Sequence, residues 1–315
     1  MLLSHRYQKQ SPVALQLSLA QRALRDRIRH DMESGDYTSE HVDCFCGDSG
    51  GRVLAEKDRY GLPVKTILCM ECGLLRSSPR LTEEATKRFY EEDYRLLYTG
   101  DGEDPENLFA GQVERGKQIF RRFEKVFQNV ESVVEVGCGA GGQLMAFAEQ
   151  GKHVAGVDLG SEYLDVGRSH GLDLIPGDAL TLLEHLGEPV DAILITHVLE
   201  HFLDLRQEIA KLSALLKPNG VMLLEVPGIH MIEKGYQHDF LRYLQNAHNY
   251  HFTAATFEYV LGSCGFDVCY TDESVTALVV KNPQEVDPAL IQRPSGEHAK
   301  IMRYLQEQEL IAMAA

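Results

Sequence analysis

The chain has 315 residues, and its 47 acidic against 31 basic side chains give a formal net charge of −16. This excess of negative charge argues against non-specific nucleic-acid binding, which needs a basic surface, although the arginine pair Arg121–Arg122 leaves a local basic groove open. No apolar run reaches the ~18 residues of a transmembrane helix, and Met1 to Gln10 lacks the apolar centre of a signal peptide. We therefore expect a cytoplasmic protein with reduced thiols.

The first predicted element is an amphipathic helix from Ser11 to Met32, within an N-terminal segment of residues 1–40. Apolar side chains recur at the helical period and form one stripe: Val13, Leu17, Ala20, Leu24 and Ile28. We expect this stripe to dock on the catalytic domain, on a second subunit of a homodimer, or on a partner in a biosynthetic assembly.

Four of the seven cysteines form two pairs in a unit of residues 41–80, Cys44 with Cys46 and Cys69 with Cys72. Two pairs, each followed by a turn-forming glycine, predict a structural zinc site in a small β unit, and reduced free thiols are the alternative. The first pair has the short C-x-C spacing, so either Cys44 reaches the metal through a slipped turn or His41 or Asp43 contributes. Four protein ligands would leave no open position for catalysis at the zinc.

Residues 81–127 are predicted to connect the cysteine unit to the next domain through helices at Glu83 to Leu97 and Gln112 to Phe127. The loop between them, Gly100 to Pro105, is rich in glycine and acidic residues and is a candidate lid. Three tyrosines of the first helix are spaced by four residues and share one face: Tyr90, Tyr94 and Tyr98. That face is either a packing stripe or a ligand contact.

A buried strand runs into a glycine-rich turn at the start of a domain of residues 128–282. Such a turn lets a ligand approach the backbone, and the following helix presents free N–H groups to it. The glycines fit two patterns. Gly137, Gly139 and Gly142 fit the dinucleotide motif G-x-G-x-x-G of NAD enzymes. Gly137, Gly139 and Gly141, with Glu135 as the acid, fit the E/D-x-G-x-G-x-G pattern of methyltransferases that use S-adenosylmethionine (SAM).

Acidic residues follow the next two strands. Asp158 ends the predicted strand that starts at His153, 21 residues after Gly137, and Asp178 follows a shorter apolar run. Each could be a helix N-cap, but both lie at carboxyl ends of strands, where open α/β sheets bind ligands. The next strand, Asp191 to Thr196, leads into a helical start on which His197 and His201 share a face.

The remaining elements complete an α/β fold, namely a Rossmann-like seven-stranded sheet with an antiparallel edge hairpin, preceded by the small zinc-binding β unit and helices. We predict a strand from Val221 to Val226, a helix from Phe257 to Cys264, and hairpin strands at Phe266 to Tyr270 and Thr276 to Lys281. Residues 283–315 form a C-terminal helical extension with a helix from Glu297 to Met313.

Five stretches in this order resemble the class I SAM-dependent methyltransferases over about Ser132 to Val280: EVGCGAGG, GVDLG, GDA, DAILITHVLEHF and LKPNGVMLLEVP. The resemblance implies SAM rather than NAD. It places Glu135, Gly137, Gly139 and Gly141 under the methionine part, Asp158 on the ribose, Asp178 and the backbone of Ala179 on the adenine, and Thr196 and His197 on the methionine side. The Glu200–His201 pair is a regular part of the same motif in this family, and its implied role is either structural or a position close to SAM.

With the cysteine unit in front, the chain from Val42 to Val280 resembles a bacterial subgroup of sugar and other small-molecule methyltransferases of polysaccharide and natural-product pathways. In that subgroup the N-terminal unit covers the SAM and acceptor sites. Its tyrosines, to which Tyr90, Tyr94 and Tyr98 correspond, can reach the carboxylate end of SAM or the substrate, and we take Tyr98 as the candidate SAM contact.

Gly228 to Phe252 is the predicted acceptor segment. Sugar C-methyltransferases carry Y-H-E-H-x-x-Y-F-S here, whereas this chain reads QNAHNYHFT from Gln245, which keeps the second histidine at His248. The departure disfavours methylation at carbon and leaves a histidine suited to deprotonating a hydroxyl. We predict His248 as the general base, with His251, His238 and Asp239 as alternates; a capping or core role is the structural alternative for His248.

The sequence therefore predicts SAM-dependent methyl transfer to a small molecule, foremost a hydroxyl of a sugar or glycan. Other acceptors remain as alternatives: the carbon of a nucleotide sugar, a phosphate, a protein or RNA. A further alternative is a non-catalytic scaffold that holds partners through its zinc unit and N-terminal helix.

Overall fold

The computed structural model describes residues 2–100, 104–161, 163–284 and 286–314. The predicted lid loop falls largely on residues 101–103, which lie outside the described residues. The helices are α1 Leu19–Ser34, α2 Glu83–Glu92, α3 Tyr94–Thr99, α4 Pro105–Arg122, α5 Glu124–Phe127, α6 Gly142–Ala148, α7 Leu164–Ser169, α8 Ala179–Leu186, α9 Leu205–Leu215, α10 Ile232–Gly235, α11 Phe240–Tyr243, α12 Ala254–Ser263 and α13 Glu297–Ala314. Short 3-10 helices lie at His5–Tyr7, Leu199–His201, Ile229–Met231 and Pro288–Leu290.

The strands are β1 Ser39–Glu40, β2 Arg52–Ala55, β3 Thr66–Leu68, β4 Leu75–Ser77, β5 Arg80–Leu81, β6 Ser132–Val136, β7 His153–Asp158, β8 Asp173–Pro176, β9 Val190–Thr196, β10 Leu216–Glu225, β11 Tyr250–His251, β12 Phe266–Thr271 and β13 Thr276–Lys281. Seven of them form one sheet in the order β12-β13-β10-β9-β6-β7-β8.

In this sheet five neighbouring strands are parallel to one another, namely β10, β9, β6, β7 and β8. Strand β13 lies between β10 and β12 and is antiparallel to both. The predicted Rossmann-like sheet with an antiparallel edge hairpin is confirmed. Its central strand β9 carries four consecutive fully buried residues, Ala192 to Ile195, because helices cover both faces. The parallel strands bring their carboxyl ends to one edge, so the glycine turn, Asp158, Thr196 and Glu225 are neighbours there.

The cysteine unit is a four-stranded sheet in the order β11-β4-β3-β2. Its edge strand β11 comes from the predicted acceptor segment in the domain of residues 128–282, and Tyr250 pairs with Arg76 and His251 with Leu75. The unit predicted as a separate module is therefore completed by the very segment that carries the candidate base. No local sequence pattern of Tyr250–His251 indicates this pairing, since a two-residue strand forms only against a partner.

The N-terminal helix begins at Leu19, so the prediction that it starts at Ser11 was wrong. Ser18 accepts a hydrogen bond from the backbone of Gln21, whose side chain bonds back to the backbone of Ser18, and this capping box sets the start. The helix packs on α3 of the same chain, with Leu24 and Ile28 buried. Docking on a second subunit or another protein remains a prediction.

The two ends of the chain meet in the folded molecule. Helix α13 buries Ile301 and Leu305 against the acceptor segment, and its Glu309 accepts hydrogen bonds from Ser4 and Tyr7 at 2.7 Å each. Within the described ranges, no helix combines the length and apolar character needed to cross a bilayer.

Candidate active site

The glycine turn between β6 and α6 depends on residues without a Cβ. Gly137, Gly139 and Gly141 have φ of 74°, 55° and 77°, a region that other residues rarely adopt. Helix α4 closes over the turn: Gln112 donates from Nε2 to the carbonyl of Cys138 at 3.0 Å and accepts from the N–H of Gly142 at 3.1 Å. No sequence pattern indicates this role of Gln112, because α4 precedes the motif and reaches it only in the fold.

Glu135 is fully buried beneath the turn. Its Oε1 accepts a 2.6 Å hydrogen bond from the side chain of Gln143, which also donates to the hydroxyl of Thr196 at 2.8 Å. Burial, together with the charge of Asp158, raises the pKa of Glu135 well above its usual range. The predicted residues Glu135 and Thr196 are thus linked through Gln143, which was not predicted.

Asp158 ties the glycine turn to the end of β7. Its two carboxylate oxygens accept from the N–H groups of Gly139 and Gly160, each at 2.8 Å. A carboxylate held this way keeps lone pairs for two further donors. Its position beside the glycine turn fits the ribose role, which the resemblance implies and which remains a prediction.

Asp178 occupies the N-cap of α8, the structural alternative recognised from the sequence. It accepts from the N–H groups of Leu180 at 3.1 Å and Thr181 at 3.0 Å, and it pairs with Lys211 at 3.1 Å. Burial works to raise its pKa, but the bonds from Thr181 and Lys211 outweigh burial and lower it. Capping and an adenine contact are compatible, so the predicted roles of Asp178 and Ala179 stay open.

His197 follows β9 with a left-handed φ of 56°, an uncommon conformation for a residue with a Cβ that frequently marks a functional position. Its imidazole lies 3.7 Å from Glu200 and 3.4 Å from Glu225, which also pairs with Arg115. Desolvation lowers the pKa of His197, but the two carboxylates outweigh it and raise the pKa to about 9.

The three predicted tyrosines form one stack above this edge of the sheet. The ring centroids of Tyr90 and Tyr94 are 4.7 Å apart, and those of Tyr94 and Tyr98 are 4.5 Å apart. The hydroxyl of Tyr98 donates to Asn246 at 3.0 Å, and that of Tyr90 lies 2.9 Å from Nδ1 of His201. The stack therefore bridges the N-terminal region and the acceptor segment; contact of Tyr98 with SAM remains a prediction.

Glu200 lies at the centre of a cluster of histidines. Its side chain is 2% exposed, and neither carboxylate oxygen has a hydrogen-bond partner within the described residues. Three imidazole nitrogens surround Oε1, at 3.7 Å from His197, 3.9 Å from His201 and 4.0 Å from His248. The sequence placed His197, Glu200 and His201 on one short helix but did not reveal the approach of His248.

His248 and His251, the first two candidate bases, are both brought to this cluster. Their ring centroids are 5.9 Å apart, and His248 packs edge-on against His201 at 4.8 Å. Burial lowers the pKa of His248 well below its usual value and that of His251 to about 3, so both rings are neutral at neutral pH. Nδ1 of His248 has no partner among the described residues.

The cysteine unit holds this segment in place. Ser77 on β4 donates from its hydroxyl to the carbonyl of His248 at 3.0 Å and from its N–H to the carbonyl of Asn249 at 2.9 Å. The N–H of Asn249 in turn donates to the carbonyl of Glu200 at 2.8 Å. The position of His248 thus depends on two distant parts of the chain.

The other two alternates, His238 and Asp239, lie in a different network. Nδ1 of His238 is 2.7 Å from the side chain of Gln308, and Asp239 caps α11 and pairs with Arg6 at 2.8 Å. These contacts attach the two chain ends to the acceptor segment. The structure does not bring His238 and Asp239 together with His248.

The four predicted zinc ligands converge. The Sγ atoms of Cys44 and Cys72 are 3.5 Å apart, those of Cys46 and Cys69 are 3.6 Å apart, and all four lie within 4.8 Å of one another. Tetrahedral zinc with bonds of about 2.3 Å requires sulfur atoms about 3.8 Å apart, so this geometry fits the ion. Cys44 completes the group, whereas His41 and Asp43 are exposed outside it.

Residues 109–271, just over half of the chain, match a family model described as a methyltransferase domain. The chain belongs to the SAM-dependent methyltransferases. The match covers the glycine turn, the acids after β7 and β8 and the whole acceptor segment, and it begins inside α4, the helix that closes the turn.

Two curated relatives are ubiquinone biosynthesis O-methyltransferases. The protein from Histophilus somni (strain 2336) is 31% identical over 162 residues, covering 43% of this chain and 68% of that protein. The protein from Xylella fastidiosa (strain 9a5c) is 39% identical over 94 residues, covering 28% of this chain and 38% of that protein. This methyltransferase thus spans two thirds of the first relative and well under half of the second.

Among solved structures, the plantazolicin methyltransferase BpumL in complex with a monoazolic desmethylPZN analog and SAH has a TM-score of 0.50 at 14% identity. The likeness covers 62% of this chain and 93% of that chain. At this identity it shows the fold alone.

Proposed function

We propose that this methyltransferase transfers the methyl group of SAM to a hydroxyl oxygen of a small molecule, with His248 as the residue that handles the hydroxyl proton. The observation that carries the proposal is the position of His248, a buried neutral imidazole beside the edge of the sheet where the cofactor residues lie. The curated relatives, which are named as O-methyltransferases, support oxygen as the acceptor atom.

The cofactor residues fit SAM. The glycine turn leaves its backbone open, and Asp158 has free lone pairs at the end of β7. SAM supplies a methyl group on a sulfonium, so the carbon–sulfur bond breaks with its electron pair on sulfur as the oxygen–carbon bond forms. His248 can receive the displaced proton at Nδ1, which has no hydrogen-bond partner within the described part of the chain.

A carbohydrate hydroxyl is the acceptor that the sequence favours, and a phenolic hydroxyl is the second candidate. The ubiquinone relatives favour the phenol, and the stack of Tyr90, Tyr94 and Tyr98 offers aromatic faces next to His201.

We also propose that Cys44, Cys46, Cys69 and Cys72 hold a structural zinc ion. The expected cytoplasmic location stays a prediction.

The test is calorimetric titration with SAM, followed by methyl-transfer assays on panels of sugar and phenolic hydroxyl acceptors. We expect His248→Asn to bind SAM with unchanged affinity and to lose about 100- to 10,000-fold in turnover. His185→Asn, an exposed histidine paired with Asp173 far from the cluster, is the control and should keep wild-type activity. No SAM binding, or full activity in His248→Asn, contradicts the proposal.

A further inference from the structure

A second group of metal-binding side chains lies in the methyltransferase domain, apart from the four cysteines. Three atoms lie within 4.8 Å of one another: one carboxylate oxygen of Glu200, one imidazole nitrogen of His201 and one imidazole nitrogen of His248. All three side chains are at least four-fifths buried, and the acid is almost completely so. The set combines one carboxylate and two imidazoles, a common donor set for divalent first-row transition metals.

The unsatisfied state of Glu200 is the observation that needs an explanation. A buried carboxylate without hydrogen bonds costs several kcal/mol of folding free energy, so native proteins pair it or bind a metal with it. The nearest imidazole nitrogens are 3.7 to 4.0 Å from Oε1, which is too long for hydrogen bonds. His197 therefore offsets the charge of Glu200 but leaves both carboxylate oxygens without a donor within the described residues. Ligands of one cation, bound at about 2.1 Å each, stand roughly 3.0 to 3.5 Å apart, so a closure of about 1 Å would form the site.

The orientation of His201 also suits a ligand. Its Nδ1 lies 2.9 Å from both the carbonyl oxygen of Ala247 and the hydroxyl of Tyr90. A carbonyl only accepts and a hydroxyl can accept as well, so a ring hydrogen on Nδ1 satisfies both oxygens. This leaves the lone pair of His201 on Nε2, the nitrogen that faces Glu200 at 3.9 Å. Metal-binding histidines are held in this way, with the second nitrogen donating to a carbonyl or carboxylate.

We propose that Glu200, His201 and His248 bind one divalent transition-metal cation at the acceptor side of the active site. Imidazole ligands favour Mn²⁺, Fe²⁺, Co²⁺ or Zn²⁺ over Ca²⁺ and Mg²⁺, which prefer all-oxygen sites. Three protein ligands leave positions open for an acceptor oxygen, in contrast to the closed set of four cysteines.

The catalytic meaning of this site rests on the proposed function and deepens it. A hydroxyl bound to a divalent cation loses its proton more readily, as metal-bound water does. Metal binding changes the role of His248 from the direct proton acceptor proposed above to that of a ligand. With Nε2 on the metal and the ring hydrogen on Nδ1, the imidazole has no free lone pair, so the hydroxyl proton passes to water. The histidine then promotes ionisation of the acceptor through the cation, and methyl transfer requires the metal.

The test is titration with Co²⁺ of protein that carries one zinc ion per chain, followed by visible absorption. We expect one Co²⁺ per chain beyond the cysteine site, with the weak bands of nitrogen and oxygen ligands and without the intense thiolate-to-cobalt band that the cysteines would give. Glu200→Gln and His201→Gln should each weaken this binding by at least about tenfold, since even the partners of metal ligands contribute that much. His230→Asn, a histidine stacked on Tyr304 outside the cluster, should bind Co²⁺ like the wild type.

Absence of this second Co²⁺ in the wild type, or unchanged affinity in both ligand variants, overturns the metal site. Circular dichroism checks the fold of each variant, and His201→Gln decides the question if Glu200→Gln does not fold. SAM titration of the same samples separates the two proposals: Co²⁺ binding without SAM binding rejects the proposed function and keeps the metal site. SAM binding with methyl transfer that persists after removal of the second metal keeps the proposed function and rejects the catalytic role of that metal.

Discussion

The cofactor edge and the acceptor side of this active site are built in different ways. The cofactor edge consists of the turns that directly follow β6, β7 and β8, and each turn carries its own residues: the glycines, Asp158 and Asp178. The acceptor side is assembled from three distant segments, namely the 3-10 helix with Glu200, the strand with Ser77 and the loop with His248. Local sequence specifies the first, and only long-range contacts specify the second.

The difference between the two sides predicts that loss of zinc abolishes methyl transfer but leaves SAM binding nearly unchanged. This is the largest effect that we expect. Cys69→Ser removes a fully buried thiol of the proposed zinc site and should unfold the cysteine unit, because structural zinc sites contribute on the order of 10 kcal/mol to folding. Since Ser77 and β11 then lose their partners, methyl transfer should vanish while SAM affinity changes only slightly. Metal analysis, SAM calorimetry and activity assays measure the three effects. Cys269→Ser, at an exposed cysteine outside the cluster, is the control, and parallel loss of SAM binding and activity would contradict the separation.

A pH-dependent contribution to stability is expected where the acceptor segment meets the N-terminal region. Asp58 is buried and accepts from the N–H groups of Tyr60 and Leu62 at 2.9 Å and of Asn246 at 3.0 Å. Burial raises its pKa from 3.8 to about 6, against the opposing effect of these bonds. Because the folded state binds the proton more tightly, the stabilisation is complete below pH 3.8 and is lost as the pH rises through 6, a change of about 3 kcal/mol.

Asp58→Asn cannot titrate, so the free energy of unfolding of the variant, relative to wild type, should rise by about 2 kcal/mol between pH 4 and pH 7. Denaturant unfolding at several pH values measures this difference, and protonation of the cysteines cancels because both proteins share it. A constant difference across the range would show that Asp58 titrates normally in the folded state.

Substitution of Asp158 tests the cofactor edge alone. Asp158→Ala should weaken SAM binding about 100-fold, because two hydrogen bonds to a charged acceptor are lost, while the cysteine unit stays folded. Calorimetry measures the SAM affinity, and thermal unfolding shows whether the variant is folded. Asp158→Asn keeps an acceptor for the N–H of Gly139 and separates loss of charge from collapse of the turn. Asp173→Ala, at the opposite end of the neighbouring strand, is the control, and wild-type SAM affinity in Asp158→Ala would reject its assigned role.

The smallest effect is expected at Asp178, where capping and cofactor contact coincide. Asp178→Ala should cost about 1 kcal/mol of stability through loss of the N-cap and about tenfold in SAM affinity. Asp178→Ser restores a capping oxygen but not the carboxylate, so it should recover the stability and keep the weaker SAM binding. Recovery of both properties in the serine variant would assign Asp178 to capping alone.

The sequence by itself determined the sheet, the glycine turn and the order of the cofactor residues. Apolar strands that are each followed by a glycine or acidic turn are local patterns in the sequence. The parallel sheet then places the carboxyl ends of these strands along one edge. It also identified the four cysteines, since a closed thiolate site depends on spacing within two short turns.

Tertiary structure alone decided the acceptor side and the closure of the glycine turn. The pairing of β11 with β4, the approach of His248 to Glu200 and the hydrogen bonds of Gln112 join residues far apart in the chain. The same long-range packing fixed which candidate histidines meet: His248 and His251 join the cluster, whereas His238 and Asp239 attach the chain ends. Hydrophobic periodicity and turn patterns describe neighbours along the chain, so they carry no signal for such contacts.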